Sequence, residues 1–420
     1  MPNANHTRNS SHNPNQLKRA LGLPLITLYG IGSIIGAGIY VLIGKVAAQS
    51  GFYTPFAFMM AAVVVTFTAL SYAELSSHFP KSAGESVYVD QAFSRSWLTL
   101  GMGTAVVVIG AVSSATISRG SVGYVQVLLD WPGWILVVLF VGLITFIACR
   151  GVLESVGVAA VITVIEVLGI IAVLFVTRDA WLRSDMEWAR YTPGLSIEHW
   201  LGVSAGAFLA FYAYIGFEDM VNMAEEVKCP ESNMPRAIVL ALIVTTLLYA
   251  LVAWAAINTL PPAELAESDA PFASLVAGSE LLPVWLITLV SLVAVTNGAL
   301  IQIIMGARVL YGLAAKGLLP AWFHRVHPLQ RIPVNATVVI GAGVLVLALL
   351  LPLEMLARIT SAITLLVFAL VNLSLIVIKR RRRKSHIAIH DVSQSRVDFP
   401  QAVPVLGLVL SCLFLVAQLF

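Results

Sequence analysis

An apolar run long enough to cross a bilayer, broken in its middle by glycine, is the feature that most restricts what this chain can fold into. The stretch Gly30 to Gly44 reads GIGSIIGAGIYVLIG, with Gly30, Gly32, Gly36 and Gly38 placed where a helix is least helped by them. Each costs about 1 kcal/mol relative to alanine in a helix interior. Within lipid, a helix break leaves N–H and C=O groups unpaired, so it persists only where protein, an ion or a polar ligand satisfies them. A binding site at the centre of the membrane is therefore expected.

The rest of the composition belongs to a bilayer. Hydrophobic residues make up 59%, charged residues 11%, and the mean hydropathy is +0.89, more apolar and less charged than a soluble domain. The net charge of +3 does not point to nucleic acid, because the basic residues sit in short loops between apolar runs and carry topology instead. Cys149, Cys229 and Cys412 have no metal-ligand spacing, and the eight histidines show no HExxH-like pattern. No metal, cofactor or catalytic constellation is expected, which argues against an enzyme. Residues 1–20 begin with a polar stretch, Met1 to Asn15, lacking the apolar core of a signal peptide, and read as a cytoplasmic tail.

Crossing about 30 Å of hydrocarbon takes about 20 apolar residues. Eleven runs qualify: Leu21 to Gly44, Tyr53 to Phe79, Trp97 to Ile117, Trp134 to Cys149, Val156 to Val176, Trp200 to Met223, Ile238 to Asn258, Val284 to Leu310, Val334 to Leu351, Leu356 to Ile378 and Val403 to Phe420. With a cytoplasmic amino terminus, Lys18, Arg19, Lys81, Arg95, Arg150, Lys228, Arg236, the Arg308 to Arg331 group and the run Lys379 to Lys384 all fall inside. The outer segment Thr259 to Glu280 has no basic residue and carries Glu264, Glu267, Asp269 and Glu280. The positive-inside rule supports this orientation in a cell membrane. Residues 379–402 read as a basic cytoplasmic linker, acting as a stop-transfer anchor before an eleventh span at 403–420.

Residues 21–177 hold five spans, and residues 200–378 hold five more after a polar outer segment. Five is odd, so the halves are inverted. The first span of the second half, GAFLAFYAYIGFEDM, again has small residues at its middle, around Ala213 to Gly216. Two interrupted helices at matching positions of inverted halves point to a shared site between them. The half-helix after Gly36 offers N–H groups and a positive dipole end to a carboxylate, and the half-helix ending near Tyr214 offers carbonyls to a cation. A ligand with both charges on one carbon is an α-amino acid. Its side chain is expected to face spans 3 and 8.

These residues resemble the amino acid, polyamine and organocation superfamily of secondary transporters. The likeness is carried by GIGSIIGAGIYVLIG, YAEL at Tyr72 to Leu75, FPKSAGESVYV at Phe79 to Val89, and FYAYIGFEDMVNMAEEVKCPESNMPRAI at Phe211 to Ile238. The resemblance implies an all-α fold of ten core helices in two inverted repeats, with spans 1 and 6 broken, and alternating access about a central amino acid site. By motif position it assigns Ile34, Gly36, Ala37 and Gly38 to the substrate carboxylate and amine. It assigns carbonyls of Phe211, Tyr212, Ala213 and Ile215 to the amine, with Tyr212 as the aromatic that closes over the substrate.

Three departures from the family pattern stand out. Many members have twelve spans, whereas this chain has eleven, the last expected to be peripheral. Proton-coupled members often carry a lysine midway along span 5, where this chain has Glu166. Members that take cationic substrates can place a carboxylate midway along span 3, where this chain has Ile109 within VVVIGAVSSAT. Neutral amino acids are therefore the expected substrates.

Glu166 lies about ten residues from either end of span 5, hence about 15 Å deep. A carboxylate there is functional or held protonated, because exposing its charge to hydrocarbon is costly. Glu166 is expected to bind and release the coupling proton. In the sodium-coupled alternative it stays ionised and helps hold the cation with Thr296 or Asn297 of span 8. Glu218 is expected in coupling or gating, Asp219 in solvent, and Glu74 at the membrane interface. An exchanger needs no coupling ion, and an amino acid sensor or channel could use the same pocket.

Overall fold

The computed structural model describes residues 19–36, 38–81, 84–150, 156–183, 188–327, 332–384 and 397–417. Most of the expected tail, Ala37, Lys18, Arg331 and residues 385–396 of the expected linker lie outside the described residues.

The described chain is helical, with no named strand. In order, its α-helices are α1 (Leu23–Ile35), α2 (Gly38–Ser50), α3 (Thr54–His78), α4 (Gly84–Phe93), α5 (Ser96–Gln126), α6 (Gly133–Arg150), α7 (Val156–Val176), α8 (Arg178–Trp181), α9 (Ile197–Ala213), α10 (Pro230–Thr259), α11 (Pro262–Glu267), α12 (Pro271–Leu275), α13 (Val284–Ala315), α14 (Val334–Leu350), α15 (Leu353–Lys384) and α16 (Ala402–Val416). A 3₁₀ helix, Phe217–Glu226, follows α9. Among the described residues, eight apolar helical stretches reach membrane-spanning length, the first covering α1 to α3, and α14 and α16 are shorter apolar helices. Proline at the first turn starts α1, α3 and α10, where its missing N–H leaves no intrahelical bond unmade. Outward-facing residues such as Leu139, Leu143 and Phe146 of α6 are exposed and apolar, as a surface solvated by lipid tails requires.

The chain alternates between two ends of the bundle, called here the near face, where α1 begins, and the far face, where α2 ends. The most extensive packings join α5 to α13, α3 to α10 and α2 to α9. Each pairs a span with the one five spans later, which is how an axis between two inverted halves brings counterparts together.

The near end of α15 differs from expectation. The helix continues through the basic run to Lys384 instead of ending at Ile378. Lys379 is buried, with its Nζ 2.7 Å from Glu74 Oε1 and 2.6 Å from Asp398 Oδ1. The Phe399 N–H donates to Glu74 Oε2 at 3.0 Å. Glu74, expected at the interface, is therefore fully buried, because the segment leading into α16 folds back over the ends of α3 and α15. α16 buries one face, at Pro404, Gly407, Ser411 and Phe414, and leaves the others exposed. It packs on α15 and α3, and Phe414 reaches the rings of Phe208 and Phe211 at 5.9 and 6.2 Å.

Candidate functional site

The two broken spans cross at backbone contact. A Cβ on Gly38 would lie 2.1 Å from the Ala213 Cα, so no other residue allows α2 and α9 this approach. Gly216 has φ +131°, and a Cβ there would lie 2.4 Å from the Ser33 carbonyl oxygen. Conformation and space both demand glycine at this second contact. The ends of α1 and α9 thus meet, Ser33 and Ile34 against Gly216, and Gly38 against Ala213.

The backbone groups of the breaks are partly engaged. The Gly36 N–H donates to Gly32 O at 2.9 Å, and a Gly36 Cβ would face Ala294 O and Gly298 N of α13. Gly36 therefore looks onto α13 and its N–H is taken, so the donors left for a carboxylate come after it, from Gly38 and the first turn of α2. Phe211 O accepts the Tyr214 N–H at 3.0 Å, and Tyr212 O accepts the Ile215 N–H at 3.1 Å. The Phe211 ring turns to Phe368 and Phe414, so only its main chain belongs to the break. The Tyr212 hydroxyl lies 2.9 Å from Ser113 Oγ and ties α9 to span 3.

One residue at the crossing escaped the sequence reading. The Tyr249 hydroxyl of α10 lies 2.9 Å from both Ile34 O and Ala213 O, the carbonyls left by the two breaks. Its one proton serves two acceptors. A tyrosine in the middle of an apolar span was the available signal, since its hydroxyl needs a partner inside the bundle.

Beside the first break, Glu166 is wholly buried. Its Oε1 accepts from Asn297 Nδ2 at 3.2 Å, its main-chain carbonyl accepts from Tyr40 at 2.8 Å, and its Oε2 has no partner. The structure thus brings Glu166 and Asn297 together between α7, α2 and α13. Thr296 is not drawn in, since its hydroxyl donates to Leu292 O of its own helix at 2.6 Å. Ile109 is buried in the wall of α5.

Beyond the second break, Glu218 Oε2 accepts the Gly216 N–H at 2.9 Å, capping the 3₁₀ helix. Asp219, expected in solvent, is 1% exposed. Three residues per turn place Gly216, Asp219 and Asn222 on one face. That face meets α1 and α13: Asp219 Oδ2 accepts from Ser33 Oγ at 3.3 Å and Gln302 Nε2 at 3.0 Å, and Asn222 Nδ2 approaches Met305 Sδ at 3.4 Å.

Segments are tied to both ends of the first broken span. At the far face, Lys45 of α2 donates to Ala266 O at 3.2 Å, holding the α11–α12 segment, and Tyr124 donates to Tyr40 O at 2.6 Å. At the near face, the Ala20 and Leu21 N–H groups donate to Glu226 O, and the Lys228 N–H donates to Leu21 O. Residues 21–420 match the family described as Amino acid permease. The chain belongs to that family.

Among its relatives, this permease is 30% identical to the Branched-chain amino acid permease BcaP of Bacillus subtilis (strain 168), over 96% of this chain and 88% of the relative. It is 30% identical to the Methylthioribose transporter of the same organism, over 93% and 86%. It is 28% identical to Cationic amino acid transporter 3, mitochondrial, of Arabidopsis thaliana, over 90% of this chain, spanning 65% of that relative's length. These relatives are transporters, not enzymes.

Proposed function

We propose that this permease is a secondary active transporter of amino acids, working by alternating access and coupled to protons through Glu166. The crossing of the two broken spans carries the reading. It sets a helix N-terminus at Gly38 beside the carbonyl ends at Ile34 and Ala213, which suits a carboxylate and an ammonium on one carbon. Ile34, Ala37, Gly38, Phe211, Tyr212, Ala213 and Ile215 form the substrate shell, with Gly36 seating the break on α13 and Tyr249 holding the carbonyls between transport cycles. Glu218 acts in gating through its bond to Gly216.

Glu166 with its one unpartnered oxygen supports the proton. The contact with Asn297 equally supports the sodium alternative, whereas Thr296 lacks that support. The α5 wall, with Ile109 and no carboxylate, favours neutral side chains, in line with the printed name of the Bacillus branched-chain permease. The name of the Arabidopsis relative favours cationic ones. The near face gathers Arg95, Arg150, Lys228 and Arg236 and is assigned to the cytoplasm of a cell membrane.

Purified protein in proteoliposomes tests the reading. Saturable uptake of labelled leucine, accelerated by unlabelled leucine inside and by an inward proton gradient without sodium, is expected. Counterflow without any proton effect would make it an exchanger. Dependence on sodium would replace the proton, and the absence of counterflow would leave a channel or a sensor.

A further inference from the structure

The side chains just beyond the second break hold more acceptors than donors. Gln302 of α13 gives its amide N–H to Asp219 Oδ2, and Ser33 of α1 gives its hydroxyl to the same oxygen. Asp219 Oδ1 and Gln302 Oε1 are both buried without a partner. The two residues are 1% and 5% exposed. A buried acceptor without a donor is uncommon in a protein interior. Here two occur on one hydrogen-bonded pair. The charged groups acting on Asp219 are Glu218 and Glu85, and the Tyr29 hydroxyl close by is engaged with Ser33.

The pair adjoins the crossing. The Ser33 carbonyl abuts Gly216, and Asp219 lies on the first turn after it, with its N–H donating to Gly216 O at 3.2 Å. Asp219 and Gln302 therefore sit on the near side of the crossing, where the 3₁₀ helix faces α13.

We propose that Asp219 and Gln302 form a side-chain subsite for a substrate whose side chain ends in an N–H donor, a carboxamide or an amine. This rests on the crossing being the amino acid site. The two open acceptors take two hydrogens of one terminal nitrogen. An apolar side chain of the same length leaves both unsatisfied, so discrimination comes from the mismatch in the protein as much as from the bond gained.

Binding of unlabelled amino acids to the purified full-length protein in nanodiscs, by calorimetry, tests the subsite with two matched pairs. Glutamine is compared with methionine, and lysine with norleucine. In at least one pair the N–H-bearing member is expected to bind about tenfold tighter, a difference that the hydrogen bonding at one buried site can supply. Preference within the first pair assigns a carboxamide, and within the second an amine. Asp219→Asn and Gln302→Leu are each expected to bring the ratio toward one, with size-exclusion profiles and melting curves confirming folded protein. Gln302→Met, closer in shape, serves where the leucine variant does not fold. Equal affinity within both pairs, or a preference that survives in these variants, overturns the subsite while leaving the transport site standing. If none of the four amino acids, nor leucine, binds, the reading of the crossing fails and the subsite fails with it.

Discussion

Glu74 and Glu166 are both withdrawn entirely from solvent, one at the near end of α3 and the other beside the break between α1 and α2. Around Glu74 the chain supplies a cation, Lys379 at 2.7 Å, and a main-chain donor, Phe399 at 3.0 Å. Around Glu166 it supplies one side-chain amide and leaves an oxygen unmatched. A buried charge is tolerated when paired and hydrogen-bonded. The first carboxylate has a counter-charge at Oε1, which makes no hydrogen bond, and a main-chain donor at Oε2, and it binds three segments of the fold together. The second falls short of that condition, and the deficit lies beside the first break, at the residue proposed to carry the coupling proton. Burial is common to both carboxylates; what separates them is a counter-charge, which Lys379 gives Glu74 and which Glu166 lacks among the described residues.

The largest effect should come from breaking the satisfied pair. Lys379→Met leaves Glu74 buried without its counter-charge and should destabilise the protein by about 3–5 kcal/mol, read as a loss of monodisperse protein or a large fall in melting temperature. Glu74→Gln should cost less, because Asp398 and the Phe399 carbonyl still face Lys379 at 2.6 and 2.5 Å. Combining Lys379→Met with Glu74→Leu should recover most of the loss. A double variant no better than Lys379→Met alone would mean that the contact is not the anchor.

Glu166→Gln should behave in the opposite way. A glutamine oxygen can still accept from Asn297, so the melting temperature should move by about 1 kcal/mol of stability or less. Proton-driven accumulation should disappear while exchange remains. Full pH-driven accumulation in this variant would remove the coupling role and leave Glu166 as a hydrogen-bonding group between helices.

Much of this arrangement was legible in the sequence, and the part that was not has identifiable causes. Glycines within a lipid-spanning helix have few explanations, so GIGSIIGAGIY and AYIG mark both breaks in the sequence itself. Glu166 was conspicuous as a carboxylate midway along an apolar run. The pairing of Lys379 with Glu74 was hidden, since it joins residues about three hundred positions apart and the basic run had a sufficient reading as an anchor. Asp219 was misplaced because the chain after Gly216 winds at three residues per turn, which rotates it from solvent onto α1 and α13. Tyr249 was passed over because an aromatic residue suits an apolar span whether or not its hydroxyl has work to do.

A third carboxylate lies between the two extremes. Glu85, on the short near-face helix α4, is buried, with its own main-chain N–H and the Tyr72 hydroxyl at 3.4 Å as donors, and burial pushes it from about 4.5 up to about 7, with the negative charge of Glu218 adding to the effect. The folded protein therefore holds this proton more tightly than the unfolded chain does. Its contribution to stability is complete below about pH 4.5 and is lost as pH rises through about 7. Melting temperature should fall across that window, and Glu85→Gln should flatten the slope. An unchanged slope would show that Glu85 has water or a cation beside it.

The smallest effect should come from Asp398, and it tests whether burial or proximity makes the Glu74 contact matter. Asp398 lies as close to Lys379 as Glu74 does, at 2.6 Å against 2.7 Å, but its side chain is 76% exposed. Burial raises its carboxyl, and the hydrogen bond and charge of Lys379 together outweigh that and hold it below the usual carboxylate range. Its contribution is present at neutral pH and is lost only as the solution is acidified through that lowered range. Water screens an exposed pair, so Asp398→Asn should cost about 0–1 kcal/mol at pH 7, and the difference from the unaltered protein should vanish in acid and shrink in high salt. Melting curves at two pH values and two salt concentrations decide it. If Asp398→Asn costs as much as Glu74→Gln, then Asp398 carries the counter-charge for Lys379, and the distinction between a completed and an incomplete buried carboxylate has to be redrawn around the Phe399 N–H.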